Sequence, residues 1–345
     1  MTEMNDVLAV VSQSGSTVAF FDAVTYERLG EVAVPPEPHE LCFDAARRRL
    51  YCTVTYRSGY YHANTGRARE LVVIDPDERR VVDVVDLAPE WAPHGLALDP
   101  AGGLLWVSVE AYGDEEGALV ALDARSLKPV RRAAVGAPGP HWFVLTPDGR
   151  RAYTANKEAP FVSVVDVASG ALVDRIEVPG GSEGITVSPD GRYVYAAGPK
   201  GDFGPDPARN PGVRVIDTAT GAVVRTLPTE GVVFPVHTTS TGLVLAGELR
   251  MTAGGSALGS QGPGLLHVYD GFEERTRVEV GAFPLTITSS PDGRYGYVAA
   301  VSSSTVTVVD LAERAVVTTL EVGRSGEPGA HGLAYIPCRA PRDAE

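Results

Sequence analysis

The chain has only three cysteines, Cys42, Cys52 and Cys338, with no C-x-x-C spacing among them. So small and odd a set excludes a disulfide framework and points to a reduced, cytoplasmic setting. Basic residues are also in deficit: 30 Lys and Arg stand against 44 Asp and Glu, a formal charge of −14. Nucleic acid and anionic membrane surfaces need basic patches, so both are excluded as expected partners. No apolar run approaches the length of a membrane span. The opening MTEMNDVLAV lacks a basic segment followed by an apolar one, so no secretory signal is expected. Neither a phosphate-cradling Gly loop before a helix nor a G-x-S-x-G nucleophile elbow occurs.

What the chain does have is hydrophobic residues (44%), with 38 Gly and 26 Pro spread along its whole length. That distribution fits many short strands joined by turns, and disorder is not expected beyond a short tail at about 338–345. One unit recurs: [P]-H-G-[IL]-x-[LV]-x-P-D-G-R-x-x-Y, a loop, then V-x-V-[VI]-D-x-x-[TS]-G-x-[VL]-V. Clear copies are GPHWFVLTPDGRRAYTANKEAPFVSVVDVASGALVDRI and GGSEGITVSPDGRYVYAAG with GVRVIDTATGAVVRTL. Fainter copies are APHGLALDPAGGLLWVSVE, AFPLTITSSPDGRYGYVAA and EPHELCFDAARRRLYCTV.

Each copy alternates apolar and polar residues over four stretches, which predicts four antiparallel strands, A to D. The D-G pairs after strand A predict a tight A–B hairpin. Strand C ends at an aspartate in every copy: Asp22, Asp75, Asp123, Asp166, Asp217, Asp270 and Asp310. These read as Asx-turn formers at the C–D hairpin and not as chemistry. The last copy, AHGLAYIP, has strand A and stops, while the first has B, C and D only. Residues 331–336 are therefore expected to pair with 6–12, closing one domain over 1–345. The expected fold is all-β: a seven-bladed β-propeller with four-stranded antiparallel blades.

The T-P-D-G-R-x-x-Y-T-A-N of 146–156, the S-P-D-G-R-Y-V-Y of 188–195 and the S-P-D-G-R-Y-G-Y of 289–297, with the paired V-x-V-[VI]-D strands, resemble the YVTN-type propellers. These belong to a broad class with lactonase-like and virginiamycin B lyase-like propellers. The resemblance covers almost the whole chain and implies fold far more than reaction, because propellers host lyases, hydrolases, oxygenases and binding scaffolds alike.

In a propeller strand A lines the channel, and the D–A and B–C connections share one face. The B–C loops 56–69, 111–117, 199–212 and 249–264 are long, which marks that face for binding. Aligned on strand A, the repeats begin at His39, His94, His141, Glu183, His237, Leu285 and His331. Histidine makes up seven of 345 residues, so a random slot holds it about one time in fifty. Five in seven calls for a cause. Imidazoles converging with a carboxylate suit Zn, Fe, Mn, Ni or Cu. The bland cause is a turn-capping His copied with the repeat, and a metal-free polar pocket is a third reading.

Further candidates stand at strand B ends and in the B–C loops: Tyr56, His62, Glu110, Lys157, Lys200, Glu248 and Arg250. Glu248, Glu110 and His62 are the expected acid/base groups, and Trp91 and Trp142 flank His94 and His141 as candidate pocket walls. The 253–264 stretch reads as a Gly-rich lid. The expected function is a metal-dependent lyase or isomerase acting on a small organic molecule, as the resemblance to propeller lyases implies. The alternatives are an Fe or Cu oxidoreductase using an all-His site and a non-enzymatic propeller that binds a ligand or partner.

Overall fold

The computed structural model describes residues 5–58, 66–101, 103–112, 115–198, 210–251, 261–327 and 329–339. Within them the chain forms seven four-stranded antiparallel sheets and no α-helix. The inner strand of blade 1 is Ala330–Ile336. Those of blades 2 to 7 are Pro38–Asp44, Glu90–Leu98, Pro140–Leu145, Ile185–Val187, Val233–Thr238 and Pro284–Ser289. Each inner strand packs against those of both neighbouring blades, round to blade 1 again. This is a seven-bladed β-propeller.

The core is divided by the seams between blades. Seven apolar clusters each occupy one seam, and an eighth, formed by Phe234, Leu249, Phe283, Leu285 and Val301, lies at the channel. Strands buried on both faces explain runs such as Val7–Ser12, VLAVVS, whose last five residues are all buried. The outer strands are largely solvated instead, as in Leu172–Glu177, where only Ile176 is buried.

The expected closure holds. Ala330–Ile336 pairs antiparallel with Val7–Ser12, with Ile336 opposite Val7 and Ala330 opposite Ser12. Two residues of the expected tail are held: the Cys338 amide donates to Asp6 at 2.7 Å and Arg339 meets Asp77 at 2.8 Å. Residues 340–345 lie outside the described residues.

The strand C aspartates form the expected turns. Asp22 Oδ1 accepts from the amides of Val24 and Thr25, both at 2.8 Å, and Asp75, Asp123, Asp166, Asp217 and Asp310 accept likewise. Asp270 differs: it pairs with Arg275, and its hairpin turns on Gly271 at φ 61°. In the P-D-G-R turns, Thr146, Ser188 and Ser290 donate to Asp148, Asp190 and Asp292, and the glycines adopt φ 68–73°.

Candidate functional site

The H-G dipeptide of the repeat has a packing origin. The start of strand A bulges where it meets strand B, between Pro38 and Leu41, Pro93 and Leu96, and Pro140 and Phe143. His39, His94 and His141 each occupy that bulge. Where a glycine follows, the next blade's backbone presses against it. A Cβ on Gly332 would strike His39 O, one on Gly95 would meet His141 O, and one on Gly184 would strike Phe234 O. Hydroxyls from strand B fasten the seams. Thr53 Oγ1 accepts from Glu40 N (3.1 Å) and donates to His94 O (2.9 Å). Ser108 Oγ accepts from Gly95 N (2.8 Å) and donates to His141 O (2.5 Å).

This repeating contact corrects one sequence assignment. In blade 6 the bulge lies between Val233 and Val236, so Phe234, not His237, holds the ring position. His237 sits three residues further along the channel, its Nε2 2.9 Å from Ser289 Oγ. Read around the channel, the ring is His331, His39, His94, His141, Glu183, Phe234 and Leu285. Five blades supply a polar arc and two supply an apolar one.

The polar arc is continuous. Ring centroids are 4.0 Å apart for His39 and His331, 4.3 Å for His39 and His94, and 3.7 Å for His94 and His141. His141 Nε2 lies 3.9 Å from Glu183 Oε2, and His331 Nδ1 lies 3.2 Å from Glu40 Oε1. All five ring groups are buried. Burial foremost, then the neighbouring imidazoles and the Lys157 ammonium, holds His39 and His94 well below the usual imidazole range. Among the described residues, His39 Nδ1, His94 Nδ1 and His331 Nε2 have no hydrogen-bond partner.

Beside the arc, strand B ends deliver a second cluster. Tyr56 donates to Glu110 Oε1 at 2.9 Å, and its ring lies edge-on to His39 at 5.9 Å. Lys157 Nζ donates to Tyr56 Oη at 3.1 Å and to Glu110. Burial works against the Lys157 charge, but the Glu110 carboxylate outweighs it and holds the lysine well above its ordinary pKa. Burial pushes the Tyr56 phenol up, keeping it neutral. Glu110 therefore does fall near the ring, as expected, and Lys157 proves to be its partner.

Glu248 does not join the ring. One carboxylate oxygen accepts from Gly231 N at 2.9 Å, and the other lies 2.7 Å from His267 Nε2. Burial raises the Glu248 carboxyl, but the bonds from His267 and Gly231 leave it lowered overall. His267 is itself fully buried and reaches Glu274 on its other side at 2.5 Å. Sequence reading passed over this histidine, although its place inside the apolar run LLHVYD called for a partner. Arg250 is exposed and 3.5 Å from Glu279. Trp91 lies under the Arg69 guanidinium at 4.7 Å, away from His94, whereas Trp142 packs edge-on to His141 at 4.5 Å. His62, Lys200 and most of the 253–264 stretch lie outside the described residues.

The donor chemistry of the arc suits a first-row divalent metal, with buried imidazoles beside a carboxylate. The close-packed, tilted and edge-on rings are not a ready coordination shell. Among the described residues no group of three or more His, Cys, Asp or Glu is placed to hold an ion. No described helix is long and apolar enough to cross a membrane.

Comparison with solved structures agrees with the fold. The chain is similar to hydrazine synthase of Kuenenia stuttgartiensis, at TM-score 0.67 and 22% identity over 87% of this chain and 91% of that one. It is similar to a functionally unknown protein from Desulfotomaculum acetoxidans, at 0.70 and 13% over 97% and 100%. It is similar also to the dihydro-heme d1 dehydrogenase NirN, at 0.58 and 17% over 96% and 75%. At these identities the likeness is one of propeller architecture. No protein-family model matches the chain, and no curated protein is significantly similar to it in sequence.

Proposed function

We propose that the ring end of the channel is the active site of a metal-dependent lyase or isomerase of YVTN-type propeller ancestry, acting on a small organic molecule. One observation carries this reading. Among the described residues the site gathers three buried carboxylates, Glu40, Glu110 and Glu183, beside four buried imidazoles, with Lys157 paired to Glu110. Oxygen and nitrogen donors gathered in a low-dielectric pocket favour a divalent cation. His39, His94, His141, Glu183 and His331 are the residues from which its ligands would come, after rotation out of their present packing. When bound, such an ion supplies Lewis-acid polarisation of a carbonyl or carboxylate.

The chain's own groups divide the remaining work. Lys157 stays protonated and faces the arc, where it stabilises negative charge developing on a substrate oxygen. Neutral Tyr56 holds Glu110 and Lys157 in register. Three or four ligands suffice for one such ion, so an imidazole of the arc left unbound is the group able to accept a proton from substrate. Phe234, Leu285 and Trp142 exclude water from the opposite side. Four adjoining imidazoles also favour iron, so an Fe-dependent oxidoreductase is the second reading.

The test is metal analysis and an optical spectrum of full-length protein purified without chelating resin, beside His94→Ala and Glu183→Gln. One divalent ion per chain, reduced at least tenfold in either variant, is expected. Metal content below a tenth of an equivalent in the wild type, or unchanged in both variants, overturns the metal reading. Activity of metal-replaced protein under strict anaerobiosis separates the chemistries, since turnover with Zn or Mg without oxygen belongs to the lyase.

A further inference from the structure

Beyond the ring, the inner strands enclose a cavity of about 280 Å³ within the channel. Ile185, Val236, Leu285, Ile287 and Leu333 form its apolar wall, and Trp142 forms one side. Its polar lining comes from Glu40, Thr186, His237 and Thr286. His237 lines it with Nε2 bonded to Ser289 Oγ at 2.9 Å. Thr286 lines it too, and its buried hydroxyl has no hydrogen-bond partner among the described residues. An apolar pocket with a few placed polar groups is the usual form of a small-molecule site.

Size and charge narrow the occupant. An apolar cavity of about 150 Å³ accepts benzene, so this one has room for a ring carrying a short chain. The Glu40 carboxylate lines the cavity and repels anions. Burial keeps the His237 imidazole uncharged, lowered to about 4, so the cavity offers an anion no compensating cation. The neutral His237 imidazole, oriented by its bond to Ser289, and the Thr286 hydroxyl can instead bond a neutral hydroxyl.

We propose that this channel cavity is a binding pocket for a small uncharged molecule with an apolar ring and one hydroxyl, held by His237, which Ser289 orients. It is distinct from the metal reading and does not depend on it. Glu40, Leu285 and Trp142 are common to both, Trp142 being 4.5 Å from the His141 ring and part of the cavity lining. Of the three tryptophans, only Trp142 touches the cavity, because Trp106 is fully buried in a blade seam and Trp91 packs on Arg69. Occupancy is therefore readable as Trp142 fluorescence.

The experiment titrates full-length protein, with EDTA present, with 4-propylphenol, propylbenzene and 4-propylbenzoate, by calorimetry and tryptophan fluorescence. 4-Propylphenol is expected to bind one to one, about tenfold tighter than propylbenzene, as one hydrogen bond allows. 4-Propylbenzoate is expected not to bind. Trp142→Phe should remove the fluorescence response and keep the heat, while Trp91→Phe keeps both. Ser289→Ala should erase the tenfold preference, and His237→Leu should do the same. If the larger change prevents folding, Ser289→Ala alone decides. Equal affinity for the phenol and the hydrocarbon, no saturable heat with any probe, or a preference that survives Ser289→Ala would each overturn the proposal.

Discussion

Replacing Glu110 by Ala removes the counter-ion of a lysine that has no other anionic hydrogen-bond partner among the described residues. The Lys157 side chain is 15% exposed and that of Glu110 is 7% exposed, so solvent cannot take over the lost contacts. Breaking such a buried pair from one side costs about 3–5 kcal/mol. Unfolding entropy near 2.1 cal/mol/K per residue gives about 0.7 kcal/mol/K for this chain, so Tm should fall by about 4–7 °C. Lys157→Met in the same background removes the stranded charge, and the double variant should recover at least about 2 kcal/mol relative to additivity.

The pH dependence gives an independent sign. In the wild type the folded Lys157 pKa is raised, so its stabilisation is complete below the unfolded value of about 10.4 and is lost as pH rises through the folded value. In Glu110→Ala the isolated buried lysine has a depressed pKa, so the variant instead gains stability as pH rises toward 10.4. Calorimetric melts from pH 7 to 11 measure both effects. Additive single and double variants, or parallel pH slopes, would refute the assignment of Lys157 and Glu110 as a buried ion pair.

Deleting residues 331–345 should abolish the cooperative melt, because it strips the inner strand of blade 1 and opens two seams; a truncated chain with wild-type Tm would refute the closure. Acid should weaken the fold: His39, His94 and His237 have depressed folded pKa values, so their contribution is present above about 6.5 and is lost as pH falls toward 4. For His237 alone the loss is on the order of 2–3 kcal/mol, read as denaturant midpoints at pH 7, 5 and 4. Glu248→Ala should cost about 2–4 kcal/mol in urea melts, since it strands His267 and the Gly231 amide, and should leave metal content unchanged. Loss of bound metal without loss of stability would instead place Glu248 at the ring.

The blade count, the closure and six of the seven Asx turns were legible in the chain, because each depends on local alternation or on one turn's hydrogen bonds. So was the gathering of His39, His94, His141, Glu183 and His331, since equivalent positions of equivalent repeats must meet at the channel. The repeat misled at blade 6. Alternation determines which side of a strand a residue faces, but not which residue stands in a bulge. There the contact of Gly184 with the Phe234 carbonyl, between different blades, chose Phe234 over His237. Lys157, Tyr56 and Glu110 come from three different blades, and nothing in their sequence spacing links them. Their ion pair, the neutrality of the imidazoles beside it and the apolar arc opposite arise from burial and distance, which exist only once seven separate sheets share one axis.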